Sequence, residues 1–303
     1  MEQLVRTPVR SRMAAYVALT KPRIIELLLV TTVPTQVVAA RGLPSPWLVL
    51  ATVIGGAMAA GGANAINMVV DRDIDAVMRR TRNRPLVTGE VTPRAALTFA
   101  VALEVAAFAW LWSLVNVLSA VLAVTACLFY VFVYTLWLKR TSRHNIVIGG
   151  AAGAVPVLIG WSSVTGTLDW PPVILFAVIF FWTPPHFWAL AIRYRDDYAS
   201  VDVPVLPAVA SIKETATRIV FYTLALWALT LLFAPVAEMG DVYLVSAVVL
   251  GAVFTWMALR LARHPDDQKA TADAAMRLFG WSITYITLLF GAMAVDQLLR
   301  WGA

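Results

Sequence analysis

One asparagine and two aspartates stand four residues apart, at positions 67, 71 and 75, directly after a long apolar run. Each step of four residues rotates by about 40° around a helix, so Asn67, Asp71 and Asp75 share one face, while Asp73 points elsewhere. Like charges at this spacing repel each other, and nearness to a membrane raises the cost. A bound cation removes that cost. Carboxylate and amide oxygens suit Mg²⁺, which takes its remaining ligands from phosphates and water.

Four arginines follow this acidic face, at positions 79, 80, 82 and 84. The guanidinium group matches phosphate oxygens with two parallel hydrogen bonds. Acids and arginines side by side therefore predict a site for a metal–diphosphate. The alternative is a solvated, salt-bridged loop that only fixes membrane topology. The alignment of the two aspartates and the asparagine on one face favours the metal site.

These residues lie in a chain of membrane-protein composition. The chain has 303 residues, of which 14% are charged, against about 25% in soluble domains, and its mean hydropathy is +0.75. We predict an all-α polytopic membrane protein with a single domain over residues 1–303, of which 1–20 form a basic tail. Runs of about 20 apolar residues, the length that spans a bilayer, predict nine transmembrane helices, at 24–41, 47–69, 95–115, 117–137, 146–165, 171–192, 217–237, 242–262 and 279–299.

The positive charges are distributed unevenly along these spans. In the nine-span arrangement, 22 of the 24 Lys and Arg residues lie on one side, and only Arg41 and Arg300 lie on the other. Short loops rich in Lys and Arg stay cytoplasmic. We therefore predict a multi-pass protein of the plasma (inner) membrane with its N-terminus inside and its C-terminus outside. Topology explains the basic charge, so no nucleic-acid partner is predicted. The single cysteine, Cys127, excludes an intrachain disulfide and a cysteine-based metal cluster.

A second group of acids, Asp196, Asp197 and Asp202, follows the sixth predicted span on the same side as the first group. Two such groups four spans apart suggest a doubled architecture with one polar pocket between the halves. His186 lies within the sixth span, where an ionisable residue suggests function. His264, before Pro265, is interpreted as a loop residue.

Longer strings carry a resemblance to a known family. Asn67-x-x-x-Asp71-x-x-x-Asp75 resembles the first aspartate-rich motif of the UbiA-type intramembrane prenyltransferases. The strings LTKPRIIEL, YTLWLKRTSRHNIVIGGAAGAVPVLIGW, FWTPPHFWALAIRYRDDY and VPVLP resemble the haem branch of that superfamily, the protoheme IX farnesyltransferases or haem O synthases. The likeness extends over about residues 19–290. Asp197 and Asp202 are five residues apart where the superfamily often has four, so only Asp197 and its neighbour Tyr198 are carried over.

The resemblance implies a fold and a reaction. The fold has nine transmembrane helices around a central cavity, with polar cap loops on the cytoplasmic side. The reaction transfers farnesyl from farnesyl diphosphate to the 2-vinyl group of haem B, with addition of water, and gives haem O. Mg²⁺ is the implied cofactor, and its implied ligands, which are also the catalytic residues, are Asn67, Asp71, Asp75 and Asp197. Contact with membrane lipid, and with haem A synthase or terminal oxidase assembly, is a further implication.

The resemblance and the chemistry of the reaction together predict a set of substrate-binding residues. Cations of the KPR, RT…RP and LKR motifs, together with one later lysine, would bind diphosphate. His186 is predicted to contact haem through its iron or a propionate, because it is ionisable within a span and histidine is a common ligand of haem iron. Tyr134 is predicted to face the allylic cation by a cation–π contact. With Tyr198, the set is Lys21, Arg23, Arg80, Arg84, Tyr134, Lys139, Arg140, His186, Tyr198 and Lys213.

Three other functions compete with this interpretation. The chain could prenylate a quinone-type aromatic acceptor such as 4-hydroxybenzoate, and the haem-branch strings argue against this. A secondary transporter would place its polar groups near the bilayer midplane, whereas the charges here gather at one face. A non-catalytic haem chaperone would bind haem without regard to Asp71 and Asp75. A geranylgeranyl donor also stays open, because helix packing sets the cavity length.

Overall fold

The computed structural model describes residues 11–263 and 268–301. The described ranges form helices joined by loops, and the loop between α4 and α5 is a long one that runs from residue 78 to residue 92. The helices are α1 Arg12–Leu19, α2 Pro22–Ala40, α3 Pro46–Val70, α4 Arg72–Val77, α5 Pro93–Leu114, α6 Val117–Leu128, α7 Lys139–Thr141, α8 Asn145–Thr165, α9 Trp170–Arg193, α10 Arg195–Ala199, α11 Leu206–Val209, α12 Ile212–Val236, α13 Asp241–Arg263 and α14 Gln268–Trp301. A π-helical segment, Phe129–Leu138, joins α6 to α7. Residues 1–10 of the basic tail, and His264, lie outside the described residues.

Helices of membrane-spanning length dominate this arrangement. Within the described ranges, eight helices are long and apolar enough to cross a bilayer, with α6, the π-helical segment and α7 forming one of them. The first predicted span corresponds to α2, whose apolar stretch Leu29–Ala40 is shorter than the other eight. The prediction of an all-α polytopic membrane protein is confirmed, and the count of nine spans stays a prediction.

Several helices begin where the sequence supplies a cap. The hydroxyl of Thr92 accepts a hydrogen bond from the backbone N–H of Ala95, and Pro93 opens α5. Asn116 caps α6 in the same way, and Ser211 caps α12. These side chains satisfy backbone donors that the first helical turn leaves without partners. The loops between the spans can therefore be short.

The two halves of the bundle are packed differently. Large buried aromatic residues fill the space between α9, α12, α13 and α14, among them Trp188, Phe233, Phe254 and Tyr285. Small residues face the space between α2, α3, α6 and α8 instead. A methyl group on Gly160 would stand 2.7 Å from the carbonyl oxygen of Thr32, so α8 and α2 approach closely there. The two halves of the predicted doubled architecture are therefore unequal. The half that contains α2, α3, α6 and α8 holds a cavity, whereas the half that contains α9, α12, α13 and α14 is filled with aromatic side chains.

Candidate functional site

The acidic face predicted from the sequence is present at the end of α3. Asp71 lies at the junction of α3 and α4, where the helical φ and ψ angles are interrupted. The hydrogen-bond register nevertheless continues, because the N–H of Asp71 bonds the carbonyl of Asn67 and the N–H of Asp75 bonds that of Asp71, both at 2.9 Å. The three side chains are buried, with exposed fractions of 3% for Asn67, 0% for Asp71 and 2% for Asp75.

Each buried acid is paired with a cation. Lys139 Nζ donates to Asp71 Oδ2, and Arg84 Nη1 lies 2.5 Å from Asp75 Oδ2. Asn67 links a third cation, Lys21, to Asp71. Its Oδ1 accepts a hydrogen bond from Lys21 Nζ and its Nδ2 donates to Asp71 Oδ2, both at 2.8 Å. A buried carboxylate is costly unless it is paired and hydrogen-bonded. These contacts meet that requirement.

Asp73 does not contact Lys139 or Arg84. It points away from the face that Asp71 and Asp75 share, as the helical spacing predicts, and it pairs with Arg140 instead. Its two oxygens each accept a hydrogen bond of 2.7 Å from Arg140, and this bidentate pair lowers the pKa of Asp73 to about 2. Arg140 also donates to the carbonyl of Val70. Arg140 therefore joins the end of α3 to the start of α7 on the outside of the site.

The π-helical segment sets the positions of three side chains on the opposite wall. Bonds between residues five apart replace the usual spacing of four, so residues five apart stack on one face. Tyr134 and Lys139 are separated in this way and line the same cavity. The hydroxyl of Thr135 donates to the carbonyl of Tyr130, also five residues back, and accepts from Asn67 Nδ2 at 3.1 Å. The segment thus holds the ring, the hydroxyl and the ammonium group against α3.

These elements surround a polar cavity with an empty volume of about 660 Å³, which includes space open to solvent. Its four cationic side chains come from three separate segments of the chain. The lining residues are Lys21, Asn67, Asp75, Met78, Arg80, Arg84, Tyr130, Tyr134, Lys139, Asn145, Phe187, Tyr198, Val203 and Val205. The loop from α10 to α11 closes the cavity with its tyrosine and valines rather than with its acids.

A second, apolar cavity of about 920 Å³ lies deeper in the bundle between α2, α3, α6 and α8. Alanines and glycines make up much of its wall, including Gly56 and Gly153, where an added methyl group would meet no atom within 4 Å. Tyr130 lines both cavities, and its ring stacks on Tyr134 with centroids 5.4 Å apart. A stacked tyrosine pair therefore marks the junction between a charged cavity and an apolar one.

The polar cavity carries an excess of positive charge. Lys21 has a left-handed backbone conformation, with φ of 53°, which non-glycine residues rarely adopt and which is common at functional sites. Burial, together with the positive charges of the neighbouring Arg84 and Lys139, lowers the pKa of Lys21 to about 7. Burial also raises the pKa of Tyr198, whose hydroxyl accepts a hydrogen bond of 3.4 Å from Arg80. Such a cavity suits an anion of high charge.

Comparison with known proteins agrees with this geometry. Residues 28–283 match the model of the UbiA prenyltransferase family. The chain belongs to the UbiA prenyltransferase family. It is 55% identical over 292 residues to protoheme IX farnesyltransferase 1 of Saccharopolyspora erythraea, an alignment that covers 96% of this chain and 92% of that protein. The alternative of a secondary transporter was wrong.

Solved structures of UbiA proteins share the fold. A structure of digeranylgeranylglyceryl phosphate synthase superposes with a TM-score of 0.78 at 17% identity and covers 95% of this chain and 99% of its own. The UbiA homologue of Archaeoglobus fulgidus, bound to GPP and Mg²⁺, superposes with a TM-score of 0.64 at 15% identity, with coverage of 90% and 99%. These similarities show that the fold is that of the UbiA family.

Some residues predicted for the UbiA site lie outside the polar cavity. Arg23 and Lys213 are exposed at the starts of α2 and α12, and Asp197 is half-buried on α10 beside Tyr198. None of the three lines the cavity. Within the described ranges, no group of three or more His, Cys, Asp or Glu residues is arranged to hold a metal ion. The four-residue metal set that includes Asp197 stays a prediction.

His186 also lies away from both cavities. Its ring stacks between Trp182 and Phe279, at centroid distances of 4.2 and 4.7 Å, and its Nδ1 lies 2.7 Å from Ser282 Oγ. These partners occupy both faces of the ring and one of its nitrogens. The structure therefore gives His186 a role in packing α9 against α14, and its contact with haem stays a prediction.

Two buried residues of this UbiA site were missed in the sequence. Asn145 lines the polar cavity with 0% exposure. Its Nδ2 donates to the carbonyl of Lys139 at 3.2 Å, and its Oδ1 has no hydrogen-bond partner. Thr135 is the other, because its contact with Asn67 joins residues 68 positions apart. Asn145 lies in the KRTSRHN string, so the signal was present but not assigned.

Proposed function

We propose that this chain is a protoheme IX farnesyltransferase, which transfers farnesyl from farnesyl diphosphate to the 2-vinyl group of haem B and gives haem O. The observation that carries the proposal is the junction of two unlike cavities at Tyr130. The polar cavity suits a diphosphate, and the apolar cavity suits its prenyl chain. The names of the close relatives supply the acceptor, and they count against the quinone-type alternative.

We also propose that α2 completes a set of nine spans around the central cavity. Its 19 residues extend about 28 Å, close to the roughly 30 Å of a bilayer core. With nine spans, the polar cavity and its cap loops lie on the cytoplasmic side, the N-terminus is inside and the C-terminus is outside.

The residues present fit a magnesium ion. Asp71 Oδ1 is buried without a hydrogen-bond partner, and so is Asn145 Oδ1. Both are hard oxygen donors of the kind that Mg²⁺ prefers. Asn67, Asp71 and Asp75 would hold the ion, with Asp197 as the predicted ligand from the second loop. When bound, Mg²⁺ would neutralise the negative charge that develops on the departing diphosphate.

The side chains of the polar cavity bind the diphosphate and favour its departure. Lys21, Arg80, Arg84 and Lys139 are positioned to donate to its oxygens, and cations fixed in a cavity stabilise the charge that develops on the leaving group. The allylic carbon–oxygen bond breaks and its electron pair leaves with the diphosphate. The faces of Tyr130 and Tyr134 then stand next to the allylic cation, which a cation–π contact stabilises by roughly 2 kcal/mol when desolvated.

The apolar cavity controls where the cation reacts. Its wall excludes water from the prenyl chain, so capture by solvent is prevented. The π electrons of the haem vinyl group form the new carbon–carbon bond and leave a second cation next to the porphyrin. Water captures this cation and loses a proton, which gives the hydroxyl group of haem O. The vinyl group is itself the nucleophile, so no catalytic serine or cysteine is required.

The reaction can be tested in membranes that contain the full-length protein. Haem B, farnesyl diphosphate and Mg²⁺ are added, and haem O is detected by mass spectrometry. We expect haem O to form, to be lost on addition of EDTA, and to fall at least about 100-fold with Asp71→Asn, since charge-paired groups of this kind contribute about 3 kcal/mol or more.

Asp73→Asn is the matched control, because Asp73 is two residues away, 60% exposed and paired outside the cavity. We expect it to retain activity within about threefold, as for other exposed ion pairs. Equal loss in both variants would show that the region acts only through its net charge. Prenylation of a phenolic acid with haem left unchanged would overturn the choice of acceptor.

A further inference from the structure

A third cavity, of about 630 Å³, lies at the end of the bundle opposite the polar cavity. The polar cavity lies at the start of α2 and α8 and the end of α9, whereas this one lies at the end of α2 and α8 and the start of α9. We call it the distal pocket. Its polar and aromatic lining residues are Arg41, Trp161, Asp169, Glu238, Gln297 and Trp301.

Two buried atoms of the distal pocket have no hydrogen-bond partner. Gln297 is 2% exposed and its Oε1 is unpaired, while Trp161 is 8% exposed and its Nε1 is unpaired. Buried polar atoms without a partner are rare in folded proteins and require an explanation. One of these is an acceptor and the other a donor, so a ligand that satisfies both must offer groups of both kinds.

Opposite charges stand at the mouth of the distal pocket. Arg41 and Glu238 form an ion pair of 3.4 Å, and the Arg41 guanidinium lies 5.4 Å from the centre of the Trp301 ring. Both residues of the pair have left-handed backbone conformations, with φ of 47° and 52°, which the surrounding structure must stabilise. Arg300 donates to the carbonyl of Glu238. Arg41 and Arg300, the two cations predicted to lie on the side of the membrane opposite the other 22, therefore both contact Glu238.

The arrangement identifies the chemistry of a ligand. Arg41 and the indole N–H of Trp161 are donors for an anionic oxygen, whereas Glu238, Asp169 and the amide oxygen of Gln297 are acceptors for an ammonium with several N–H groups. The pocket lies where helix ends would meet the lipid headgroups, with tryptophans that are typical of that interface. A ligand that combines a phosphate, a primary ammonium and acyl chains satisfies the whole set.

We propose that the distal pocket binds the headgroup of one phosphatidylethanolamine molecule. Phosphatidylcholine carries methyl groups in place of the N–H donors, so it would leave Gln297 Oε1 without a partner and would add no hydrogen bond to Glu238 or Asp169. Phosphatidylglycerol lacks the cation and would meet Glu238 and Asp169 as like charges. The site is separate from the proposed catalytic cavities, so its existence does not depend on the reaction.

Native mass spectrometry of the delipidated full-length protein tests the proposal. The protein is titrated with phosphatidylethanolamine, phosphatidylcholine and phosphatidylglycerol that carry identical acyl chains. We expect one site that takes phosphatidylethanolamine at least about tenfold more tightly than either other lipid, the effect of one lost charge-assisted hydrogen bond. Glu238→Gln and Gln297→Leu should each reduce that preference to less than about threefold.

Glu214→Gln is the matched control, since Glu214 is also a partly exposed acid paired with an arginine but lies at the opposite end of the bundle. It should leave the tenfold preference unchanged. Equal affinity for the three lipids would overturn the proposal, as would tighter binding of phosphatidylglycerol. A preference that survives in both pocket variants would also overturn it, because the lipid would then bind elsewhere. Glu238 is exposed, so its variant is expected to fold.

Discussion

At the scale of single residues, Asn145 shows how one side chain can serve two purposes in the site. Its Nδ2 donates to the backbone carbonyl of Lys139, and its Oδ1 is buried without a hydrogen-bond partner. Leucine fills a similar volume but provides neither group. We therefore expect Asn145→Leu to lower kcat/KM by about 10- to 100-fold, consistent with the loss of one or two hydrogen bonds to charged or buried groups.

Asn116→Ser is the control for this variant. Asn116 caps α6, and its Nδ2 donates to the carbonyl of Ser162, away from the polar cavity. Serine preserves the cap, so kcat/KM for farnesyl diphosphate should change less than threefold by the same assay. A loss of activity that is equal in the two variants would show that Asn145 acts only through stability.

At the scale of elements, the π-helical segment Phe129–Leu138 is the part of the structure on which the cationic wall depends. Its five-residue spacing places Lys139 on the same side as Tyr134. Deletion of Phe132, which is 59% exposed, would favour an α-helix and shorten the path to Lys139 by one residue. Tyr134 and Lys139 would remain five residues apart, and five residues of an α-helix turn by about 500°, so the two side chains would no longer share one face of the helix.

We expect the Phe132 deletion to abolish haem O formation while the protein still inserts into membranes. Phe132→Leu keeps the chain length and should retain activity within about threefold, since the side chain faces away from the protein. Mass spectrometry of haem products measures both. If the deletion stays active, the segment can tolerate either register and the π geometry is not required.

At the scale of the whole molecule, the proposed function makes the apolar cavity between α2, α3, α6 and α8 the part that would limit the length of the prenyl chain. A methyl group at Gly153 meets no atom within 4 Å, so a larger side chain there would enter the cavity rather than displace a helix. We expect Gly153→Leu to favour geranyl over farnesyl diphosphate by at least about tenfold in kcat/KM, because the longer chain loses apolar contact area.

Gly291→Leu is the control for this change, because its added methyl group also meets no atom within 4 Å but lies on α14, away from the apolar cavity. It should leave the ratio of the two donors unchanged. Competition between geranyl and farnesyl diphosphate in one reaction gives that ratio directly. An unchanged ratio in Gly153→Leu would show that the prenyl chain lies elsewhere.

The arrangement in the membrane can be tested with single cysteines. Met13 and Leu43 are each 79% exposed and lie on either side of α2. The natural Cys127 is buried. We expect a membrane-impermeant maleimide added to intact cells to label Leu43→Cys but not Met13→Cys, and to label both after lysis. Labelling of both in intact cells would contradict the crossing of α2 and the nine-span prediction.

The sequence predicted those parts of the site that depend on short separations. The face of Asn67, Asp71 and Asp75 follows from helical periodicity, and the long apolar spans follow from hydropathy. The partners of these residues could not be derived in that way, because Lys139 and Thr135 come from 68 positions further along the chain. The π-helical segment has no periodic signal of its own. His186 was assigned to haem because it is ionisable, and only the packed structure shows the partners around its ring.

The separation of these contacts along the chain also has a consequence for biosynthesis. Arg84 follows Asp75 by nine residues, so this pair can form as soon as α3 and the next loop have emerged. Asp71 must wait for Lys139, which arrives only after two further spans have entered the bilayer. An unpaired carboxylate at a membrane is unfavourable. A nascent chain interrupted before residue 139 therefore carries an unpaired carboxylate that membrane quality control could recognise, and completion of the span formed by α6, the π-helical segment and α7 removes it.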